Sequence, residues 1–188
     1  ITFKNGDPAT GRGCLLIDYF YLSRAEDPSI EVQARERNLD YLDRLRGKGY
    51  VRTFESEKMP SFTGGNVEDA GASGGLAKYA AKKKDPQSFL VYGPGSSLGL
   101  PGKYRATFRM KVAENTVEKN VAVLDVAAGN KSFGERLIRP SDFHDARRYQ
   151  NFSIEFETSG MDDLQYRVLY LPVTSLWVDV VEVTYLGE

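Results

Sequence analysis

The segment from Tyr104 to Val112 constrains this chain most: Tyr104, Ala106, Phe108, Met110 and Val112 are apolar and alternate with Arg105, Thr107, Arg109 and Lys111. Successive side chains of an extended strand point to opposite faces, so the pattern puts one face on a core and the other in water. A helix would scatter the same residues around its circumference. The two-residue period recurs in Phe152, Ile154 and Phe156 against Ser153, Glu155 and Glu157, and again in Leu164, Tyr166, Val168 and Tyr170. Val121 to Ala127 and Trp177 to Val183 are richer in β-branched residues and read as more deeply buried strands, with Ser88 to Tyr92 and Val51 to Glu55 as shorter ones. Turn-forming breaks separate them, as at Gly93-Pro94-Gly95, Pro101-Gly102 and Ser159-Gly160-Met161-Asp162-Asp163. Many short strands divided in this way predict an all-β fold, a sandwich or jelly roll, over residues 50–188.

The region before it reads differently. Asp27-Pro28 opens a polar stretch in which Ile30, Ala34, Leu39, Leu42 and Leu45 fall near a helical stripe, with Gly47 and Gly49 as stop signals. This predicts a connector helix over residues 27–49, preceded by a β-hairpin over residues 1–26. The hairpin echoes the C-terminal one: Leu16-Ile17-Asp18-Tyr19-Phe20-Tyr21-Leu22 and Trp177-Val178-Asp179-Val180-Val181-Glu182-Val183 both read apolar, Asp, then a hydrophobic run. Residues 1–26 are therefore read as the end of a preceding module of the same kind, or as edge strands of the one sandwich. A chain that starts at Ile1 in a strand-like segment is expected to be a processed protein or a piece of a longer one.

Composition removes several function classes. Cys14 is the one cysteine and His144 the one histidine, so an intrachain disulfide, a thiolate metal centre and a multi-histidine zinc site are all excluded. A net charge of -1 argues against a general nucleic-acid binder, which needs a basic face to displace counterions. Lys82-Lys83-Lys84-Asp85 reads as an exposed loop that could still touch an anionic glycan such as a uronate polymer, a contact that salt would weaken. No apolar run approaches the length of a membrane span. Asn130-Lys131-Ser132 and Asn151-Phe152-Ser153 permit glycosylation in a secretory context. Gly71-Ala72-Ser73-Gly74-Gly75 lacks the spacing of a nucleophile elbow, and His144 after Asp142-Phe143 reads as a surface residue rather than half of a Ser–His pair.

Four motifs in order carry a resemblance. Phe54-Glu55-Ser56-Glu57, then Asp69-Ala70-Gly71-Ala72-Ser73-Gly74-Gly75, then Pro101-Gly102-Lys103-Tyr104, then Trp177-Val178-Asp179-Val180-Val181 resemble the jelly-roll carbohydrate-binding modules, in particular those of families six and thirty-five. Such modules open on a Tyr/Phe-Glu-Ala-Glu strand, pass through an Asp-x-x-Ala-Ser-Gly-Gly turn and a Pro-Gly-x-Tyr strand, and close on a strand with an Ile/Val-Asp pair. Ser56 stands where the usual residue is Ala. The resemblance implies a noncatalytic module of a larger extracellular or cell-surface protein, with a polysaccharide or glycan and other modules of the parent chain as partners. It also implies a structural calcium at Glu55, Glu57 and Asp179, and hard carboxylate oxygens suit that ion. Alternation along the first strand places Glu55 and Glu57 on one side; the plainer reading makes them a solvated strand face and Asp179 a turn cap.

Sugar recognition needs aromatic rings against apolar pyranose faces and polar groups against hydroxyls. The ring-bearing candidates are Tyr79 and Phe133, expected on loops, Tyr92 and Trp177, expected in strands, and His144 and Tyr149, with Arg136 as the guanidinium beside Phe133. A structural sandwich without sugar binding and a small polysaccharide-active enzyme are the alternatives, the latter requiring facing carboxylates across a cleft.

Overall fold

The computed structural model describes residues 51–160 and 162–187. The hairpin expected over residues 1–26 and the helix expected over residues 27–49 lie outside these described residues. The described chain forms β1 (Val51–Glu55), β2 (Gly65–Glu68), β3 (Leu76–Ala80), β4 (Ser88–Val91), β5 (Pro94–Ser96), β6 (Gly102–Val112), β7 (Ala122–Ala128), β8 (Lys131–Ile138), β9 (Gln150–Thr158), β10 (Leu164–Tyr170) and β11 (Leu176–Gly187). Only short 3-10 turns interrupt them, at Ser56–Lys58, Ser73–Gly75 and Pro140–Asp142. Among the described residues no helix is long and apolar enough to cross a membrane.

The strands build two antiparallel sheets. The first runs β2-β3-β11-β6-β9, and the second runs β4-β10-β7-β8 with β5 also on β10. β11 is long enough to serve two partners on one edge: β3 pairs with Leu176 to Val178, and β1 pairs with Val180 to Thr184. Asp179 falls in the gap between them. It is also the extra residue where the β11–β6 register slips between Val178 and Val180, a β-bulge that re-aims a side chain. The chain crosses from one sheet to the other after β3, β5, β6, β8, β9 and β10, the all-β jelly-roll sandwich that the alternation predicts.

The core follows the period of two. Along β6 the even-numbered residues Gly102 to Val112 are all buried, and the odd-numbered ones face away from the other sheet. Ala106, Phe108, Met110 and Val112 meet Leu124, Val126, Tyr166, Val168 and Tyr170 of the second sheet in a fully buried interior. Rings cross the space between the sheets, Phe54 stacking on Tyr166 at 5.3 Å and 27°. Apolar area removed from water in this layer is the main favourable term holding the sheets together, about 25 cal/mol per Å².

Two placements differ from the sequence reading. Tyr79 and Phe133 lie on strands β3 and β8, not on loops. β3 shows no alternation because Ala77, Lys78 and Ala80 are all buried, so buried residues fall on both of its sides. Glu57 belongs to the 3-10 turn after β1 rather than to the strand, so the period of two that would pair it with Glu55 has already ended.

Candidate functional site

The outward side of the first sheet gathers rings and charges into one row. Register sets Tyr79 of β3 beside Trp177 of β11, and Trp177 beside Lys111 of β6. The Tyr79 and Trp177 rings lie 4.5 Å apart and 33° from parallel, and both are half-buried. The Lys111 ammonium sits 5.0 Å from the Trp177 ring centre and 4.6 Å from that of Tyr149, which reaches the row from the segment before β9. A cation over an aromatic face is attracted by the ring quadrupole. Gly64 supports the row from beneath: its φ is +66°, and a Cβ there would collide with the Tyr79 carbonyl.

Asp69 ties these groups to the turn that follows β2. Its carboxylate pairs with Lys111, accepts the Tyr149 hydroxyl at 3.1 Å and accepts the Gly71 N–H at 3.0 Å. The turn itself closes through Asp69 N–H to the Gly75 carbonyl at 2.9 Å and Ala72 N–H to the Asp69 carbonyl at 2.9 Å. Burial alone would push the Asp69 carboxyl up, but the hydrogen bonds from Lys111, Gly71 and Tyr149 outweigh it and hold it below the ordinary carboxylate value. Burial and the neighbouring Asp69 push the Tyr149 phenol up, so it stays a hydrogen-bond donor.

Arg109, two residues before Lys111 on the same side of β6, closes the corner. Its guanidinium pairs with the fully buried Asp179, donates to the Gly71 carbonyl at 3.1 Å and lies 4.5 Å from the Tyr149 ring centre. Asp179 also accepts the Ser73 N–H at 2.8 Å, and the Ser73 hydroxyl donates to Glu55 at 3.1 Å. Glu55 and Asp179 thus meet at Ser73, while Glu57 stands in the turn beyond, with the buried Lys78 as its electrostatic neighbour. Among the described residues no three acids close into one metal-holding group. Even so, one carboxylate oxygen of Glu55 and one of Glu57 are buried with no hydrogen-bond partner, and a hard cation satisfies such oxygens. Glu55 and Glu57 thus have the donor chemistry for calcium, whereas the charge of Asp179 is already met by Arg109.

The remaining sequence candidates lie elsewhere. Tyr92, just beyond β4, is on the outward side of the second sheet between Phe62 at 5.3 Å and Phe89 at 5.5 Å. Arg167 lies 5.2 Å from the Phe89 ring centre and is held by two bonds to Asp125, at 2.6 and 2.9 Å. Phe133 and Arg136, both on β8, bind the two sheets along one edge. Phe133 packs edge-on against Phe156 at 6.5 Å, and Arg136 donates to the Ser153 carbonyl of β9 at 3.2 Å. Gly134 lets β8 approach, since a Cβ there would stand 2.6 Å from Ile154. Of the carbohydrate candidates, the fold brings Tyr79, Trp177 and Tyr149 into one row. His144 is a surface residue, its side chain 91% exposed. Lys111 and Asp69 went unassigned at the sequence level, although the outward position of Lys111 was legible from the β6 alternation.

Fold and site define a two-sheet jelly roll that carries a ring-and-charge row on the outside of one sheet. No family model matches the chain, and no curated protein matches it by sequence. Among solved structures it is similar to the C-terminal family 6 carbohydrate-binding module of a marine laminarinase from Zobellia galactanivorans, at 14% identity over 72% of this chain and 99% of that one, TM-score 0.48. It is similar to a family 35 carbohydrate-binding module from Clostridium thermocellum at 14% identity over 71% and 98% of the two chains, TM-score 0.49. It is also similar to a carbohydrate-binding module of lichenase 5A from Cellvibrio mixtus, solved with cellotriose, at 12% identity over 71% and 95%, TM-score 0.47.

Proposed function

We propose that this sandwich is a noncatalytic carbohydrate-binding module of a larger extracellular or cell-surface protein, with Trp177 and Tyr79 as its stacking surface. The observation that carries the reading is the row across β3, β11 and β6: two outward rings 4.5 Å apart, flanked by an ammonium, a carboxylate and a phenol. A pyranose offers apolar C–H faces and a rim of hydroxyls. The rings take the faces, and the Lys111–Asp69–Tyr149 cluster holds them in place beside the hydroxyl rim. Binding of this kind makes and breaks no covalent bond. One shallow site binds weakly, so repeated modules of a parent chain would gain through effective concentration.

Calcium enters this reading as a structural partner. Glu55 and Glu57 would hold it through their unpaired buried oxygens, with Asp179 linked to Glu55 through Ser73. The ion would neutralise buried carboxylates at the end of β1 and do no chemistry on the sugar.

Affinity electrophoresis of the full chain across a polysaccharide panel, with and without EDTA, tests both parts. Retardation on at least one polysaccharide is expected, with Trp177→Ala weakening it about tenfold or more, ~1.4 kcal/mol, in a variant whose melt still shows a cooperative fold. No retardation on any polysaccharide, or full retention by the Trp177 variant, would end the glycan reading. Chelation is expected to lower the melting temperature by mass action, and an unchanged melt removes calcium while leaving the sugar surface standing.

A further inference from the structure

The row of rings lies at the end of the sandwich where positive charge collects. Lys82, Lys83 and Lys84 follow β3 directly, are all exposed, and begin three residues beyond Tyr79, about 10 Å along an extended chain. The Lys82 N–H donates to the Ser175 hydroxyl at 3.2 Å, two residues before Trp177, which fixes where this loop leaves the sheet. The turn is ordered, with Lys84 and Asp85 N–H groups both donating to the Ala81 carbonyl at 3.1 and 3.0 Å. From the other side the segment before β9 brings Arg147 and Arg148, both exposed, next to Tyr149. The Arg147 N–H donates to the Val112 carbonyl at 2.8 Å, one residue past Lys111.

The acids of this rim are engaged. Asp85 accepts the Ala81 N–H at 2.7 Å, Glu114 lies 3.8 Å from Lys82, and Asp145 is shared between His144 at 3.3 Å and Arg148 at 4.0 Å. Among the described residues Lys83, Lys84 and Arg147 have no ion-pair partner. A chain with a net charge of -1 thus holds uncompensated cations on both sides of its aromatic row.

From this we infer that the site takes an acidic glycan, one bearing carboxylate or sulfate groups along its chain. The contacting Tyr79 and Trp177 rings offer one stacking surface for a sugar unit, and the flanking cations meet the charged groups of units on either side. Lys111 and Arg109 contribute little to this charge recognition because Asp69 and Asp179 already balance them. Exposed lysines act through a screened field, so they set affinity and its salt dependence, while the rings set the position of the chain. The inference rests on the glycan reading above and goes beyond it in naming the ligand class.

The test compares polygalacturonate, dextran sulfate, a neutral β-glucan and, as a non-sugar polyanion, polyglutamate, by titration against the full chain. Expected is tighter binding of polygalacturonate or dextran sulfate than of the neutral glucan, falling about tenfold or more between about 50 and about 500 mM NaCl. The triple variant Lys82→Gln, Lys83→Gln, Lys84→Gln should cut the acidic-to-neutral affinity ratio about tenfold, and its exposed side chains make it safe for folding. Which acidic polymer wins distinguishes carboxylate from sulfate recognition. Binding of the neutral glucan as tight as of either acidic polymer, or an unchanged ratio in the triple variant, overturns the inference with the glycan reading intact. Equal binding of polyglutamate, indifferent to Trp177→Ala, overturns it as plain ion exchange. Binding to no polymer overturns the glycan reading itself.

Discussion

Both sheets carry aromatic rings beside a cation on their outward sides, yet the two arrangements are built to different ends. On the second sheet Arg167 spends its fork on Asp125 at 2.6 and 2.9 Å, and that pairing raises the guanidinium pKa further. Phe89 and Tyr92 pack over the closed pair, and Phe62 hangs at the edge, 65% exposed. On the first sheet Lys111 and Arg109 are also paired, but the rings they touch open toward a rim on which Lys83, Lys84 and Arg147 are not. A cation that has a carboxylate of its own stiffens a surface, and one without is available to a ligand. The same residue types therefore give a brace on one face and a recognition surface on the other.

That contrast can be broken at several points. The largest expected effect is on the brace: Asp125→Ala leaves the half-buried Arg167 without its partner and should cost about 2 kcal/mol by chemical denaturation, without altering glycan affinity. A loss of binding with intact stability would move the recognition surface to the second sheet. A smaller effect is expected from acid. Asp69 is held below its ordinary value, so its contribution to stability is complete above about pH 4 and is lost as pH falls through the depressed value. The melting-temperature gap between wild type and Asp69→Asn should accordingly narrow below about pH 4, and a gap constant down to acid conditions would deny Asp69 its tethering role. The smallest effect belongs to Phe62→Ala. An exposed ring outside the row should change stability by less than about 0.5 kcal/mol and affinity by less than about twofold, and a larger loss of affinity would place sugar on this face as well.

Legibility in the sequence followed the physics of each strand. β6, β9 and β10 were readable because each has one side on the core and one in solvent. β3 and β8 were not. The first has buried residues on both of its sides, and the second is an edge strand in which five of eight residues, among them Glu135, Arg136 and Leu137, are exposed and only Ile138 is buried, so no alternation shows. β2 and β5 are too short, at four and three residues, to show a period. The site was legible in part for the same reason: Trp177 and Tyr79 could be chosen as rings with sugar-binding chemistry, but nothing local says that they touch. The β1 acids show the converse, since alternation carries Glu55 correctly to the strand end and fails one turn later at Glu57.

The order of residues by itself determined which segments are extended, which of their sides seek the core, and which side chains have the chemistry to meet a sugar or a cation. Those are local properties, set by the two-residue pleat and by side-chain type. Tertiary structure alone decided that β3 and β6 flank the start of β11, so that Tyr79, Trp177 and Lys111 form one row, and that the bulge at Asp179 turns its carboxylate to Arg109 and Ser73. Strand pairing joins residues about 100 positions apart, and the register that wins is the one that buries every apolar face at once. No single segment contains that choice.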